Sequence, residues 1–174
     1  MEVTGQAFHH TPCGNARCGC GCRVGPLRLN LGCSNAHVKG WLNVDLCEPA
    51  DVIADLSQRW PWNDSSVAAI KSWDIFEHMV SKIHTMNECH RVMKPGAKLD
   101  LFIPTTDGRG AFQDPTHVSF WTPNDLFYFV ETYVEWQRFH VAYGITARFR
   151  CIEQTHLEYP NRVWKLRAIL EAVK

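Results

Sequence analysis

The sequence has no long apolar run, no excess of charge of one sign and no internal repeat. No apolar stretch approaches the ~18 residues that a membrane-spanning helix requires, so we expect no membrane span. The 18 basic residues are balanced by 18 acidic ones and are scattered along the chain. Proteins that hold a long nucleic acid through its phosphates gather their basic residues in a patch, so this scattering argues against such a partner. What remains is the composition of a soluble protein with one globular core.

Residues 1–26 differ from the rest of the chain. They lack the basic and then apolar pattern of a secretory signal, so we expect a cytoplasmic protein whose thiols stay reduced and free of disulfides. Four cysteines lie in this segment, with four, one and one residues between them: Cys13, Cys18, Cys20 and Cys22. Zinc knuckles usually use cysteines two residues apart, so we predict a tail rather than a metal centre. Recruitment of a partner by this tail stays open.

From Leu27 onward, short apolar runs alternate with turn residues, which predicts one α/β domain over residues 27–174. A helix is predicted over 81–94, ended by Pro95-Gly96, and a short helix begins after Thr122 and runs through Val130. Seven strands are predicted, at 27–31, 41–46, 51–56, 67–73, 99–103, 149–159 and 162–171. Strand-helix-strand order favours parallel pairing, and the last two strands are close enough for an antiparallel hairpin. We therefore expect a three-layer sandwich around a mainly parallel, seven-stranded sheet that ends in this hairpin.

Ligands of open parallel sheets bind beyond the carboxyl ends of the strands, so the residues that follow each strand matter most. Gly32 follows the first predicted strand and permits a tight turn. Asp45 ends the second strand, where its two oxygens suit the two hydroxyls of a ribose. Asp55 and Asp74 follow the third and fourth strands. Taken singly, these residues fit a turn glycine and capping acids equally well, and another nucleotide cofactor stays possible.

In this order, the segments resemble the class I S-adenosylmethionine-dependent methyltransferases, particularly small bacterial and phage-type members similar to methyltransferase type 11. The matching stretches are 29–33, 40–45, 76–78 and 90–97. The resemblance implies a Rossmann-like fold, S-adenosylmethionine as cofactor, and methyl transfer to a hydroxyl or amine of a small molecule, glycan or protein. It implies a cofactor-binding set of Asn30, Leu31, Gly32, Cys33, Ser34, Asp45, Leu46, Asp55, Leu56, Trp73 and Asp74. Within that set, Asn30 to Ser34 surround the methionine portion, Asp45 holds the ribose, and Asp55 and Leu56 border the adenine.

The acceptor side is predicted in the segment after the fifth strand, which contains the stretch Asp114-Pro115-Thr116-His117. His117 is predicted to take a proton from the acceptor at neutral pH, and Asp114 and Asp74 complete the predicted catalytic set. The resemblance places Trp73 and Asp74 where they close the site near the sulfonium. The alternative is that Asp114 and His117 only fasten the loop through hydrogen bonds. Glu77 and His78 are expected to be helix-start residues rather than catalysts, and no metal site is predicted.

Two further observations bear on the reaction. Asn30 and Ser34 stand where many members of the resembling family have an acid and a glycine, which keeps open a methyltransferase fold that only binds or assembles. No Asn or Asp followed by two prolines and an aromatic follows the fourth strand, which disfavours amino methylation of DNA bases. Cys89 and Cys151 are not at predicted strand ends, so a covalent cysteine mechanism is also disfavoured.

Overall fold

The structure is a computed structural model and describes residues 25–174. The strands are β1 (Arg28–Leu31), β2 (Leu42–Asp45), β3 (Val52–Ile53), β4 (Val67–Trp73), β5 (Met93–Pro104), β6 (Phe149–Tyr159) and β7 (Val163–Ala172). The α-helices are α1 (Lys82–Val92) and α2 (Val134–Tyr143), and four short 3₁₀ helices are Phe76–His78, Arg109–Ala111, Pro123–Tyr128 and Pro160–Arg162. The seven strands form one sheet in the order β3-β2-β1-β4-β5-β7-β6. The first five strands are parallel, whereas β7 pairs antiparallel with both β5 and β6.

The predicted Rossmann-like fold, with a mainly parallel seven-stranded sheet and a terminal antiparallel hairpin, is therefore confirmed. Residues 1–24, including the four cysteines of the predicted tail, lie outside the described residues, so the tail and its recruitment role stay predictions. No helix within residues 25–174 is long and apolar enough to cross a bilayer. Cys33, Cys47, Cys89 and Cys151, the cysteines of this part of the chain, are free thiols.

Alternate strand residues form the core. Leu29 pairs in register with Ile70, Ile70 with Leu99, and Leu99 with Leu170, so four fully buried apolar side chains lie in one row across the sheet. Each such side chain contributes roughly 1.5–3 kcal/mol of burial free energy. Because side chains alternate along a strand, this row lies on one face of the sheet.

Both α-helices pack on that apolar face. The Asn87 side chain of α1 donates to the carbonyl oxygen of Gly144, which follows α2, and accepts from the amides of Thr146 and Ala147. The opposite face is polar and aromatic, with an ion pair between Arg167 and Asp100.

Several element boundaries differ from those predicted. α1 ends at Val92, earlier than Pro95-Gly96, because Met93 already pairs with Val67 and begins β5. Gly96 then lies inside the strand, between Met93 and Lys98, where the register with β4 shifts. The short helix after Thr122 is a 3₁₀ helix, and Asp125 accepts a hydrogen bond from the Thr122 amide at 2.6 Å.

α2 was not predicted from the sequence. None of its ten residues is fully buried, so it lacks the regular apolar spacing by which an amphipathic helix is recognised. Its end is nevertheless well defined, because Gly144 adopts the left-handed conformation that commonly stops a helix.

Candidate active site

The carboxyl ends of β1 and β2 meet at one edge of the sheet. The Ser34 amide donates to Oδ2 of Asp45 at 2.8 Å, and the Leu46 amide donates to Oδ1 at 2.7 Å. Two main-chain amides therefore fix the orientation of the Asp45 carboxylate, which stays partly exposed. Since a carboxylate oxygen has two lone pairs, each oxygen keeps capacity for one further hydrogen bond.

The turn after β1 is shaped by the segment that follows β4. Gly32 has a φ of +62°, and a Cβ at this position would lie 2.9 Å from the Cβ of Ile75. Gly32 is therefore required both by its backbone conformation and by the close approach of Ile75. Two residues other than glycine, Ser34 and Asp74, also have positive φ angles, of 41° and 51°. The chain thus turns sharply after β1 and after β4, at neighbouring positions on the sheet edge. Strained backbone of this kind is often found at functional sites.

Asn30 is buried beneath this turn. Its side-chain amide donates to Oδ1 of Asn43 at 3.0 Å and to the carbonyl oxygen of Ala36 at 2.9 Å. Asn43 in turn donates to Oδ2 of Asp51 at 2.8 Å. Both amide hydrogens of Asn30 are thus used to hold the loop over β1, and its side chain adds no charge to the site.

The edge beside Asp45 exposes apolar surface. Ile53 is the register partner of Asp45 in β3 and is 56% exposed, and Leu46 is 68% exposed. Asp55 is exposed nearby, and hydrogen bonds from Ser57 lower the pKa of its carboxyl. Leu56 differs from the prediction in its orientation, because its side chain is buried in the core. Sequence reasoning missed Ile53, since a two-residue strand carries too little pattern to show which side chain faces out.

Three other residues of the predicted cofactor set also point away from this edge. The side chains of Leu31 and Cys33 are buried. Trp73 packs on Phe102 with ring centroids 5.7 Å apart, and lies on the polar face of the sheet. Any contact of Leu31 and Cys33 with a ligand at the edge would have to come from the main chain.

A cavity of about 210 Å³ opens beyond the ends of β4 and β5. Its polar lining includes Asp74, Glu77, His78, Gln113, Asp114, His117 and Lys165. The structure therefore brings the three predicted catalytic residues, Asp74, Asp114 and His117, to one cavity. It adds Lys165, which the sequence did not single out, because Lys165 reaches the site only through the pairing of β7 with Pro104 of β5.

Glu77 is the most deeply buried ionisable group of this cavity, with 2% of its surface exposed. Its carbonyl oxygen accepts hydrogen bonds from the amides of Val118 and Ser119, both at 2.9 Å, so the loop after β5 is docked onto the turn after β4. Its side-chain Oε2 is buried without a hydrogen-bond partner among the described residues. Burial raises the pKa of the Glu77 carboxyl to about 7.

The two histidines of the cavity lie beside Glu77, and hydrogen bonds orient both rings. Nδ1 of His117 is 3.1 Å from the carbonyl oxygen of Ala111, which can only accept, so the neutral ring carries its proton there. Nε2 is then the unprotonated nitrogen, 3.9 Å from Oε1 of Glu77. Nδ1 of His78 lies 3.1 Å from Oγ1 of Thr116, and the two imidazole rings are 4.8 Å apart.

Asp114 and Asp74 are both engaged by the protein. Oδ1 of Asp114 accepts from the amide of Thr116 at 2.8 Å and from its hydroxyl at 2.6 Å, and these bonds lower the pKa of Asp114. Asp114 thus fastens the loop and holds Thr116 against His78. Asp74 accepts from Nζ of Lys165 with both oxygens, at 2.8 and 2.6 Å.

Sequence reasoning placed Glu77 and His78 at a helix start, and they do lie in the 3₁₀ helix Phe76–His78. It did not anticipate that the Glu77 side chain would be buried in the cavity. No local pattern in the sequence signals this burial, because it depends on where the loop that contains Val118 and Ser119 docks.

No protein-family model matches the sequence, and no curated protein matches it. Solved structures do match. A SAM-dependent methyltransferase of Methanosarcina mazei superposes with a TM-score of 0.56 at 14% identity, over 84% of this chain and 92% of that chain. The 1,6-didemethyltoxoflavin-N1-methyltransferase of Burkholderia thailandensis, solved with 1,6-didemethyltoxoflavin and S-adenosylhomocysteine, gives 0.57 at 12% identity, over 86% and 72%.

The [4+2]-cyclase SpnF also matches, with a TM-score of 0.59 at 11% identity, over 86% of this chain and 76% of the cyclase. At these identities the comparisons concern the fold, and a fold does not determine an activity. The order of the strands and these neighbours together show that the chain has the fold of the class I S-adenosylmethionine-dependent methyltransferases.

Proposed function

We propose that this chain is an S-adenosylmethionine-dependent methyltransferase that acts on a hydroxyl or amine. The observation that carries the proposal is the partly exposed carboxylate of Asp45, whose orientation is fixed by two main-chain amides. It lies at the same edge of the sheet as the cavity of Glu77 and His117. The proposal places the cofactor beside Asp45 and the reacting end of the acceptor in the cavity. It also places the protein in the cytoplasm.

The residues at the edge fit an adenosyl group. The free lone pairs of the Asp45 oxygens suit the two ribose hydroxyls, and the exposed Leu46 and Ile53 side chains offer apolar surface to a base. Asp55 is within the same edge, where its carboxylate can accept from an amino group. When bound, S-adenosylmethionine supplies a methyl group on a positively charged sulfur, which a nucleophile displaces directly.

The chain's own residues then have to orient the acceptor and receive its proton. Nε2 of His117 is the unprotonated ring nitrogen and lines the cavity, so it is placed to accept a proton from an acceptor hydroxyl or amine. The hydrogen bonds from the amides of Val118 and Ser119 to the Glu77 carbonyl oxygen hold the segment of His117 beside the cavity. At about 210 Å³ the cavity is smaller than pockets for whole drug-sized ligands, so only the reacting end of an acceptor enters it.

The rival function is a methyltransferase fold that binds or assembles without catalysis. Asn30 favours this rival, because its side chain is neutral and its amide hydrogens are committed to Asn43 and Ala36. The structure of the toxoflavin methyltransferase, with its acceptor and S-adenosylhomocysteine bound, favours catalysis on this fold. The cyclase shows that the fold also serves other reactions.

Calorimetry with S-adenosylmethionine and S-adenosylhomocysteine tests the proposal. We expect the full chain to bind both, and Asp45→Ala to weaken binding about 100-fold, since it removes two hydrogen bonds to a charged group worth about 1.5 kcal/mol each. Glu158→Ala, which removes an exposed carboxylate of β6, is the matched control and should bind as the wild type does. Absence of binding by the wild-type chain would leave the assembly function as the better account.

Once binding is established, a screen of hydroxyl and amine acceptors with the wild type and His117→Ala tests the catalytic role. Loss of turnover with unchanged affinity for S-adenosylhomocysteine supports the placement of His117 on the acceptor side. Unchanged turnover removes His117 from that role.

A further inference from the structure

We infer that Glu77, His78 and His117 form a binding site for a divalent transition-metal ion that faces the cavity. One ligand atom from each of the three side chains lies within 4.8 Å of the other two. Two imidazole nitrogens and one carboxylate oxygen suit Zn²⁺, Mn²⁺, Fe²⁺ or Co²⁺, whereas Mg²⁺ and Ca²⁺ prefer oxygen ligands throughout. Three protein ligands leave at least one coordination position for a ligand from the cavity.

The unpaired carboxylate is the independent reason to expect a ligand here. Oε2 of Glu77 is buried without a hydrogen-bond partner among the described residues, and a carboxylate oxygen in that state costs free energy unless something compensates it. Lys165, the lysine of this cavity, is bound by both oxygens of Asp74. A cation between Glu77 and the histidines would supply the missing partner.

Hydrogen bonds around the histidines match those that orient metal ligands. Nδ1 of His117 is held by the carbonyl oxygen of Ala111, which leaves Nε2 as the unprotonated nitrogen. Nδ1 of His78 is held by Thr116, whose hydroxyl donates to Asp114. Ligating histidines commonly use their second nitrogen in this way, toward a carbonyl or a carboxylate.

Binding would require a modest contraction of the cluster. Metal–ligand bonds of 2.0–2.2 Å in tetrahedral geometry place ligand atoms about 3.4 Å apart. The present separations reach 4.8 Å, so His78 and His117 would have to move toward Glu77 by about 1 Å. The movement is assigned to the histidines because Glu77 is the more deeply buried residue, and its carbonyl oxygen is held by two amides.

The inference deepens the proposed function, and only its consequence for catalysis rests on that function. An acceptor hydroxyl bound to the ion would have a lowered pKa, so it could give its proton to a water molecule rather than to a side-chain base. His117 would then be a metal ligand rather than the proton acceptor. Hydroxyl acceptors would be favoured over amines, because an amine bound to a cation loses its nucleophilic lone pair.

The test uses metal binding alone and needs no cofactor. Because cysteine thiolates in general bind soft metals, the experiment uses the full chain with Cys13, Cys18, Cys20 and Cys22 replaced by serine. Titration with Co²⁺, followed by visible absorption, and with Zn²⁺, followed by calorimetry, should each show one equivalent bound. Glu77→Gln and His117→Gln should weaken binding on the order of 100-fold, and Thr116→Val, which loses only the support of His78, about 10-fold.

His90→Gln is the matched control, since it removes a half-buried histidine whose Nε2 bonds to the carbonyl oxygen of Val173 and which lies outside the cluster. It should leave metal binding unchanged. If Glu77→Gln does not fold, His78→Gln carries the same test. Absence of binding, or binding that these substitutions do not weaken, overturns the inference. Titration with S-adenosylhomocysteine in the presence of EDTA separates that outcome from failure of the proposed function.

Discussion

Two buried glutamates of this chain have opposite surroundings. Glu88 of α1, 8% exposed, accepts hydrogen bonds from Nε and Nη2 of Arg91 and from the amide of Trp60, all at 2.7 Å. Burial alone would raise the pKa of Glu88, but these bonds bring it below the usual value of 4.5. Glu77, 2% exposed, has a buried oxygen without a partner, and burial raises the pKa of its carboxyl to about 7.

The difference separates a carboxylate that holds the fold from one that is available for a ligand. Arg91 also donates to the carbonyl oxygens of Trp60 and Trp62, so the Glu88 region ties the segment before β4 onto α1. Glu77 joins its two segments only through its main chain, which accepts from Val118 and Ser119. Oε2 of its side chain is buried without a hydrogen bond that would offset the cost of burial.

The largest expected loss of unfolding free energy follows from replacing Glu88, the glutamate whose carboxylate is hydrogen-bonded. Glu88→Ala leaves the largely buried guanidinium of Arg91 without its main partner, and breaking a buried pair in this way costs about 3 kcal/mol of unfolding free energy. Urea denaturation monitored by tryptophan fluorescence measures it. Arg150→Ala, which breaks an exposed pair with Glu171, is the control and should cost less than about 1 kcal/mol. Equal losses in both variants would contradict the assignment of Glu88 to the fold.

A smaller change in unfolding free energy is expected when the pH is lowered. Because the folded-state pKa of Glu88 lies below its unfolded value of 4.5, its contribution is complete above pH 4.5 and disappears as the pH falls through the folded-state pKa. The difference in unfolding free energy between the wild type and Glu88→Gln should therefore be constant from pH 8 to about pH 5 and narrow at lower pH. A difference that widens on acidification would have the wrong sign for this account.

The smallest effect on stability is expected at Glu77. Glu77→Gln removes a buried charge whose Oε2 has no partner, so the metal-free protein should be within about 1 kcal/mol of the wild type, or more stable. The same urea experiment in EDTA measures it. A loss comparable to that of Glu88→Ala would show that Glu77 is a structural residue after all.

The contrast between Glu88 and Glu77 also shows which features of the fold and the site the sequence could predict. Local patterns of apolar and turn residues predict the succession of strands along the chain. They also predict the positions of Gly32 and Asp45 at strand ends, and the segment that holds His117. They do not predict the helix α2, because none of its residues is fully buried. They do not predict the surroundings of Glu77 either, because these depend on where the loop of residues 114–119 docks, which no local pattern records.

The same limit explains the residues at the cofactor edge. That Asp45 follows a strand is visible in the sequence, but the two amides that hold it, from Ser34 and Leu46, depend on the shape of the turn. The outward orientation of Ile53 and the inward orientation of Leu56 depend on the tertiary packing of the very short strand β3 and of the turn that follows it.

The central claim is that the unpaired carboxylate of Glu77 serves a ligand rather than the fold. The most direct measurement is the unfolding free energy with and without Co²⁺, in the full chain whose four N-terminal cysteines are replaced by serine. At a metal concentration 100 times the dissociation constant, the chain with Glu77 should gain about 2.7 kcal/mol, and the same chain with Glu77→Gln should gain almost nothing. Equal gains in the two chains, or no gain in either, would contradict the account.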